Sequence, residues 1–166
     1  FKNDIWRFPI GSNPNYGLEL GSSIVFADSI PILTLIFKTF RSLLPENFQY
    51  ISLWYFLCFY LQLFFSFKIL SKFTNSTLFS LIGSLFFLVT PIFTWSIHFV
   101  PALVGQWILI LTLYLGLTTN VNKSKTSWFL LIILSSLINF YFMVTILFIY
   151  SLLRIFNLEF KKENIF

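Results

Sequence analysis

From Ser127 to Leu153 the chain carries no charged residue over 27 consecutive positions, and Lys125 and Arg154 bound the run. A second run, Asn47–Leu70, is interrupted only by Lys68. Helices of about 20 apolar residues match a hydrocarbon layer about 30 Å thick. A water-soluble fold would have to hide both runs completely, and the rest of the chain lacks the means. Only 10% of the residues are charged, against about 25% in a typical soluble domain. Lipid is therefore the expected solvent for much of this chain, and an all-α polytopic transmembrane bundle is the expected fold class.

Two further segments fit that class, 76–91 and 101–118, giving expected membrane segments at 47–70, 76–91, 101–118 and 127–153. The last run reads either as one tilted helix or as a hairpin turning near Asn139. A loop containing Trp95 and His98 is expected between the second and third segments. Residues 1–28 differ in character: they hold Asp4, Glu19 and Asp28, three glycines, two prolines and the turn-forming run Gly11–Gly17. Ser29–Leu44 is apolar but too short to cross, and carries Lys38 and Arg41. It reads as an interfacial helix with Asp28 as its N-cap and Pro31 in its first turn. Residues 154–166 form a charged tail. The chain opens on Phe1 in loop-like sequence, so it reads as an internal fragment with at least one helix upstream.

Charge distribution sets an expected orientation. Lys68, Lys72, Lys123 and Lys125 fall on one side with no acid, whereas Lys2, Arg7, Lys38 and Arg41 share the other with Asp4, Glu19, Asp28 and Glu46. The acid-free side is expected in the cytoplasm and residues 1–46 outside. A turn near Asn139 sends Arg154, Lys161 and Lys162 to the same acid-poor side and strengthens the bias. Trp54, Trp95, Trp107 and Trp128 lie near expected helix ends, as an interfacial aromatic belt requires. The 24 phenylalanines read as generic lipid-facing bulk. A net charge of +5 scattered singly between apolar runs excludes a nucleic-acid surface.

Soluble-type nucleotide chemistry lacks its glycine-rich loop, and no Cys/His spacing suggests a metal. Cys58, the sole cysteine, reads as a small buried hydrophobe. The acids of the outer loop are the candidates for chemistry. A carboxylate at a membrane surface can act as general base toward an acceptor hydroxyl. Glu19, between Gly17 and Gly21, and Asp28 are the two placed for it. Lys38 and Arg41, three residues apart and so on one helical face, suit a lipid phosphate. His98 beside Trp95, and Gln106 within an apolar span, are further substrate-binding candidates. Gln62 reads as an interhelical amide, and Ser80 with Ser84 as a small-residue packing pair.

Three blocks carry a resemblance: Trp6-Arg7-Phe8-Pro9-Ile10-Gly11, Asn13-Pro14-Asn15-Tyr16-Gly17, and Gly21 through Asp28-Ser29-Ile30-Pro31. Phe48-Gln49-Tyr50, Trp54, Leu57-Cys58, Leu61-Gln62 and Trp107-Ile108-Leu109 before Leu113-Tyr114-Leu115 extend it. Together they resemble a family of uncharacterised bacterial polytopic membrane proteins whose layout is similar to GT-C glycosyltransferases. The resemblance implies an outer loop with interfacial helices after a first membrane helix. It also implies a polyprenyl-phosphate sugar donor as partner, at the outer face of the bacterial inner membrane, with an acid in or just before that loop in the reaction. It decides no cofactor. Where that family carries histidines, this chain has Val100, Gln106 and Asn139, with His98 displaced from them.

Overall fold

The computed structural model describes residues 12–13, 22–23, 30–45 and 48–155. Among these it contains seven α-helices: α1 (Pro31–Thr39), α2 (Ile51–Leu70), α3 (Thr77–Phe86), α4 (Pro91–Phe99), α5 (Trp107–Thr118), α6 (Lys125–Ser136) and α7 (Phe140–Ile155). Short 3-10 segments occupy Arg41–Leu43 and Pro101–Gln106. One two-residue antiparallel pairing, Ser12–Asn13 with Ser22–Ser23, precedes the helices.

At 1.5 Å per residue the 20-residue α2 is about 30 Å long, the thickness of a bilayer's hydrocarbon core. The 18 residues from Pro101 to Thr118 form the second helix long and apolar enough to cross. The α3–α4 pair, bent by 46°, makes a third if it counts as one span.

Local chemistry explains most boundaries. The Ser76 hydroxyl accepts the Phe79 N–H and caps α3. Pro91 opens α4 as its first residue, where its missing N–H costs nothing. The sequence alone ends a segment at Pro91 and puts Trp95 and His98 in a loop; instead Pro91 starts a further helix, and both residues lie on α4. In the turn between α5 and α6 the Asn120 side chain accepts the Asn122 N–H at 2.9 Å. Asn139 does the same for Tyr141 at 2.9 Å and starts α7. The uncharged run therefore breaks at 137–139. α7 folds back along α6, so that Trp128 and Tyr150, 22 residues apart, meet with ring centroids 5.4 Å apart.

The first helix is shorter than expected. It is capped by Ile30, with no side-chain cap bond, so Asp28 does not serve as its N-cap. It ends at Thr39, and Arg41 falls in the following 3-10 segment, so Lys38 and Arg41 do not share one continuous helix.

Packing reverses the usual polarity of a globular protein. Fully or nearly fully buried positions on α2 are Trp54, Cys58, Gln62 and Ser66, one every turn. Ser80 and Ser84 of α3, Ser96 of α4, Thr112 of α5 and Ser135 of α6 are buried as well. Phe56, Phe79, Phe86, Ile92, Phe129 and Phe148, by contrast, are more than 60% exposed. Small residues inside let helices approach closely, and bulky apolar residues outside suit an apolar solvent. The inner hydroxyls are satisfied within their own helices: Ser66 donates to Gln62 O at 2.6 Å and Thr112 to Ile108 O at 2.7 Å. Trp54, Trp107 and Trp128 are 5% exposed or less and fill the interior. These three therefore do not form the expected interfacial belt: a flat ring placed between helices contributes more contact than one at the rim. Trp95 stays outside, stacked on Phe99 with centroids 4.9 Å apart.

Candidate functional site

The helices define two chemically different ends. α2 and α5 run side by side in the same direction, since Trp54 near the start of α2 meets Pro101 and Ile69 near its end shares a groove with Gly116. The α1 end gathers α1, the start of α2, the end of α4, the 3-10 segment Pro101–Gln106 and the α6–α7 turn. α1 is tied there twice: the Ile32 N–H donates to Leu137 O at 2.8 Å, and the Thr34 and Tyr50 hydroxyls share a 3.0 Å hydrogen bond. Ile30 and Leu33 enter the core beneath it, while Phe37 packs on Phe48 with centroids 4.8 Å apart. The opposite end carries Lys68, Lys72, Lys123, Lys125 and Arg154, and the described residues contain no acid at either end.

Three α2 side chains serve the irregular backbone facing them. Trp54 Nε1 donates to Pro101 O at 2.8 Å, and Tyr55 Oη donates to Ile97 O at 2.8 Å. Gln62 Nε2 reaches Phe87 O, in the break between α3 and α4, at 3.4 Å. Each carbonyl lies where the α4 helix ends or the chain bends, and so has lost its place in a regular helical ladder. A broken helix in an apolar medium persists only if neighbours supply such donors. Gly105 lets the 3-10 segment sit against α2 and the hairpin. A Cβ there would lie 2.9 Å from Ile138 Cγ2, 3.1 Å from Trp54 Cζ2 and 3.3 Å from Phe142 Cε2. One buried polar atom near this interface, Gln62 Oε1, has no partner. Trp107 stacks on Phe65, one turn along α2 from Gln62.

The candidate residues fall as follows. Lys38 lies in the last turn of α1 and Arg41 just beyond it, both half-buried. His98 is exposed in the last turn of α4, its ring edge-on to Phe99 at 6.5 Å. Gln106 is half-buried where the 3-10 segment enters α5. All four therefore sit on elements of the α1 end. Glu19 and Asp28 lie outside the described residues, as do Asp4 and Glu46; in the chain, Asp28 is two residues upstream of the buried Ile30. No group of three or more His, Cys, Asp or Glu residues gathers among the described residues. Cys58 is a free thiol, fully buried on α2. Sequence reasoning missed the roles of Trp54 and Tyr55. The signal was their position, two aromatic donors in the first turn of a helix facing a proline-interrupted segment.

The fold and this end define an α-helical protein with two or three membrane-length apolar helices, and with its irregular backbone gathered at one end. The chain belongs to the family described as domain of unknown function DUF6311, whose model matches residues 1–164. No curated protein and no solved structure matches the chain.

Proposed function

We propose that this chain belongs to a polytopic membrane enzyme of GT-C-like type. It transfers a sugar from a polyprenyl-phosphate donor at the outer face of the bacterial inner membrane. The observation that carries the reading is the chemical difference between the two ends. Five cations mark one end, as cytoplasmic ends are marked, while the candidate residues and an added surface helix mark the other. On this reading α1 lies in the outer interface and residues 1–46 are extracytoplasmic. The acceptor hydroxyl gives its proton to Asp28 or Glu19 and its oxygen attacks the anomeric carbon. The bond from that carbon to the phosphate oxygen breaks, and polyprenyl phosphate leaves with the electron pair. Lys38 and Arg41 stabilise the departing charge by charge-assisted hydrogen bonds. His98 and Gln106 line the sugar's approach.

The test is turnover of polyprenyl-phosphate hexoses by the full-length protein in vesicles. Asp28→Asn, or Glu19→Gln if Glu19 is the base, lowers turnover by about 10²–10⁴-fold at unchanged expression, the usual contribution of a general base. Wild-type rates in both variants remove the carboxylates from the reaction.

One observation favours a second reading, a transporter or flippase-like component. The α3–α4 break with Gln62 beside it resembles the discontinuous helices of carriers. Counterflow of a lipid-linked sugar without bond cleavage supports that reading over transfer.

A further inference from the structure

A groove of about 310 Å³ lies between α2, α5 and α7 at the cationic end, walled by Ile69, Leu113, Gly116, Leu117, Ile149 and Leu153. Its one hydroxyl, on Thr112, is already committed to Ile108 O at 2.7 Å. Gly116 keeps it open, because a Cβ there would come within 3.1 Å of Leu153 Cδ1. From Thr112 to Leu117 the groove follows α5 for about 8 Å, roughly half of one leaflet's hydrocarbon depth.

Cations stand next in the chain to two of its wall residues. Lys68 directly precedes Ile69 and Arg154 directly follows Leu153, with Lys72 one turn beyond Lys68. Arg154 Nη1 donates to Tyr150 Oη at 3.1 Å, which steadies the guanidinium on the last turn of α7 and leaves its other N–H groups to donate elsewhere. The Lys68 ammonium sits 5.6 Å from the Phe64 ring centroid. An apolar slot at the cationic end, with a cation one residue beyond each of two wall residues, suits an occupant with a long apolar tail and an anionic head.

We propose that this groove seats an acyl chain of an anionic phospholipid from the leaflet at the cationic end, with the phosphate held by Arg154 and Lys68. The site is separate from the α1 end and holds whichever reading of that end is correct.

The test is native mass spectrometry of the full chain, released from vesicles of equimolar phosphatidylcholine and phosphatidylglycerol with matched chains. The wild type retains phosphatidylglycerol in preference. Arg154→Gln and Lys68→Gln each cut that preference about fivefold, the worth of one cation near an anionic lipid surface. Leu113→Trp fills the groove from a position already 52% exposed, so the helix packing is undisturbed, and retained lipid of both kinds falls. Equal retention of the two lipids by the wild type overturns the proposal. So does unchanged retention in Leu113→Trp, or a lipid-free dimer with a second copy filling the groove.

Discussion

Replacing Gly105 with alanine tests the packing at the α1 end at its tightest point. Gly105 has a φ of −66°, open to any residue, so the demand for glycine is purely one of space. The new methyl meets three side chains from different elements at 2.9, 3.1 and 3.3 Å. None can yield easily. Ile138 and Trp54 are each 1% exposed and Phe142 is 5% exposed. Trp54 is also held by its bond to Pro101 O, and Ile138 adjoins Leu137, whose carbonyl anchors α1. Overpacking of this kind costs about 1–3 kcal/mol. Gly116→Ala is the matched control: its methyl meets only Leu153 Cδ1, at 3.1 Å beside the groove, where a leucine can turn away. In mid-helix, alanine recovers about 0.5–1 kcal/mol over glycine. The two variants therefore differ by roughly 1.5–4 kcal/mol. Thermal unfolding of each in the same detergent, followed by tryptophan fluorescence, reads the difference. A loss of about 2–4 °C per kcal/mol is expected for a chain of this size. Gly105→Ala melting at or above Gly116→Ala refutes the packing argument.

The α2 donors give a graded pair. Trp54→Phe leaves Pro101 O without its 2.8 Å partner and costs about 1–3 kcal/mol in the same assay. Gln62→Leu removes a long 3.4 Å bond together with an unpartnered oxygen, and Phe87 O still accepts from Thr90 Oγ1 at 3.2 Å, so stability stays within about 1 kcal/mol of wild type. A much larger loss shows that the amide latches the α3–α4 break. If the transporter reading holds, Gln62→Leu abolishes counterflow while leaving the melting temperature in place.

Helical character was legible because uncharged runs of this length leave few alternatives. The inside of the helices was harder to read. When nearly every residue is apolar, hydrophobic periodicity stops distinguishing faces. The usable signal is the spacing of small and polar residues, as at Ser80 and Ser84, or at Cys58, Gln62 and Ser66. Tryptophan is ambiguous for the same reason, since an end-of-helix position suits either the headgroups or an inward ring with a carbonyl to meet. Pro91 shows the limit of reading single residues. A proline marks a boundary equally well from either side, and here the apolar stretch after it is a second helix. Pairing Lys38 with Arg41 on one face requires one helix, but α1 ends at Thr39 where no side chain in the sequence announces it. Of the candidate site, the elements carrying Lys38, Arg41, His98 and Gln106 share one end; Asp28 and Glu19 lie outside the described residues.

The proposed function depends most on which end faces out, and accessibility measures that directly. Cys58 is the only cysteine and is buried, so a Cys58→Ser background accepts single reporters cleanly. His98→Cys reports the α1 end and Lys123→Cys the cationic end, both at exposed positions. Intact bacterial cells expressing the full-length protein are treated with a membrane-impermeant maleimide. With the α1 end outside, the position 98 reporter is labelled in intact cells and the position 123 reporter only after the membrane is permeabilised. Labelling of position 123 in intact cells, with position 98 protected until permeabilisation, contradicts this orientation and places the candidate site on the wrong face for an outer-leaflet transferase.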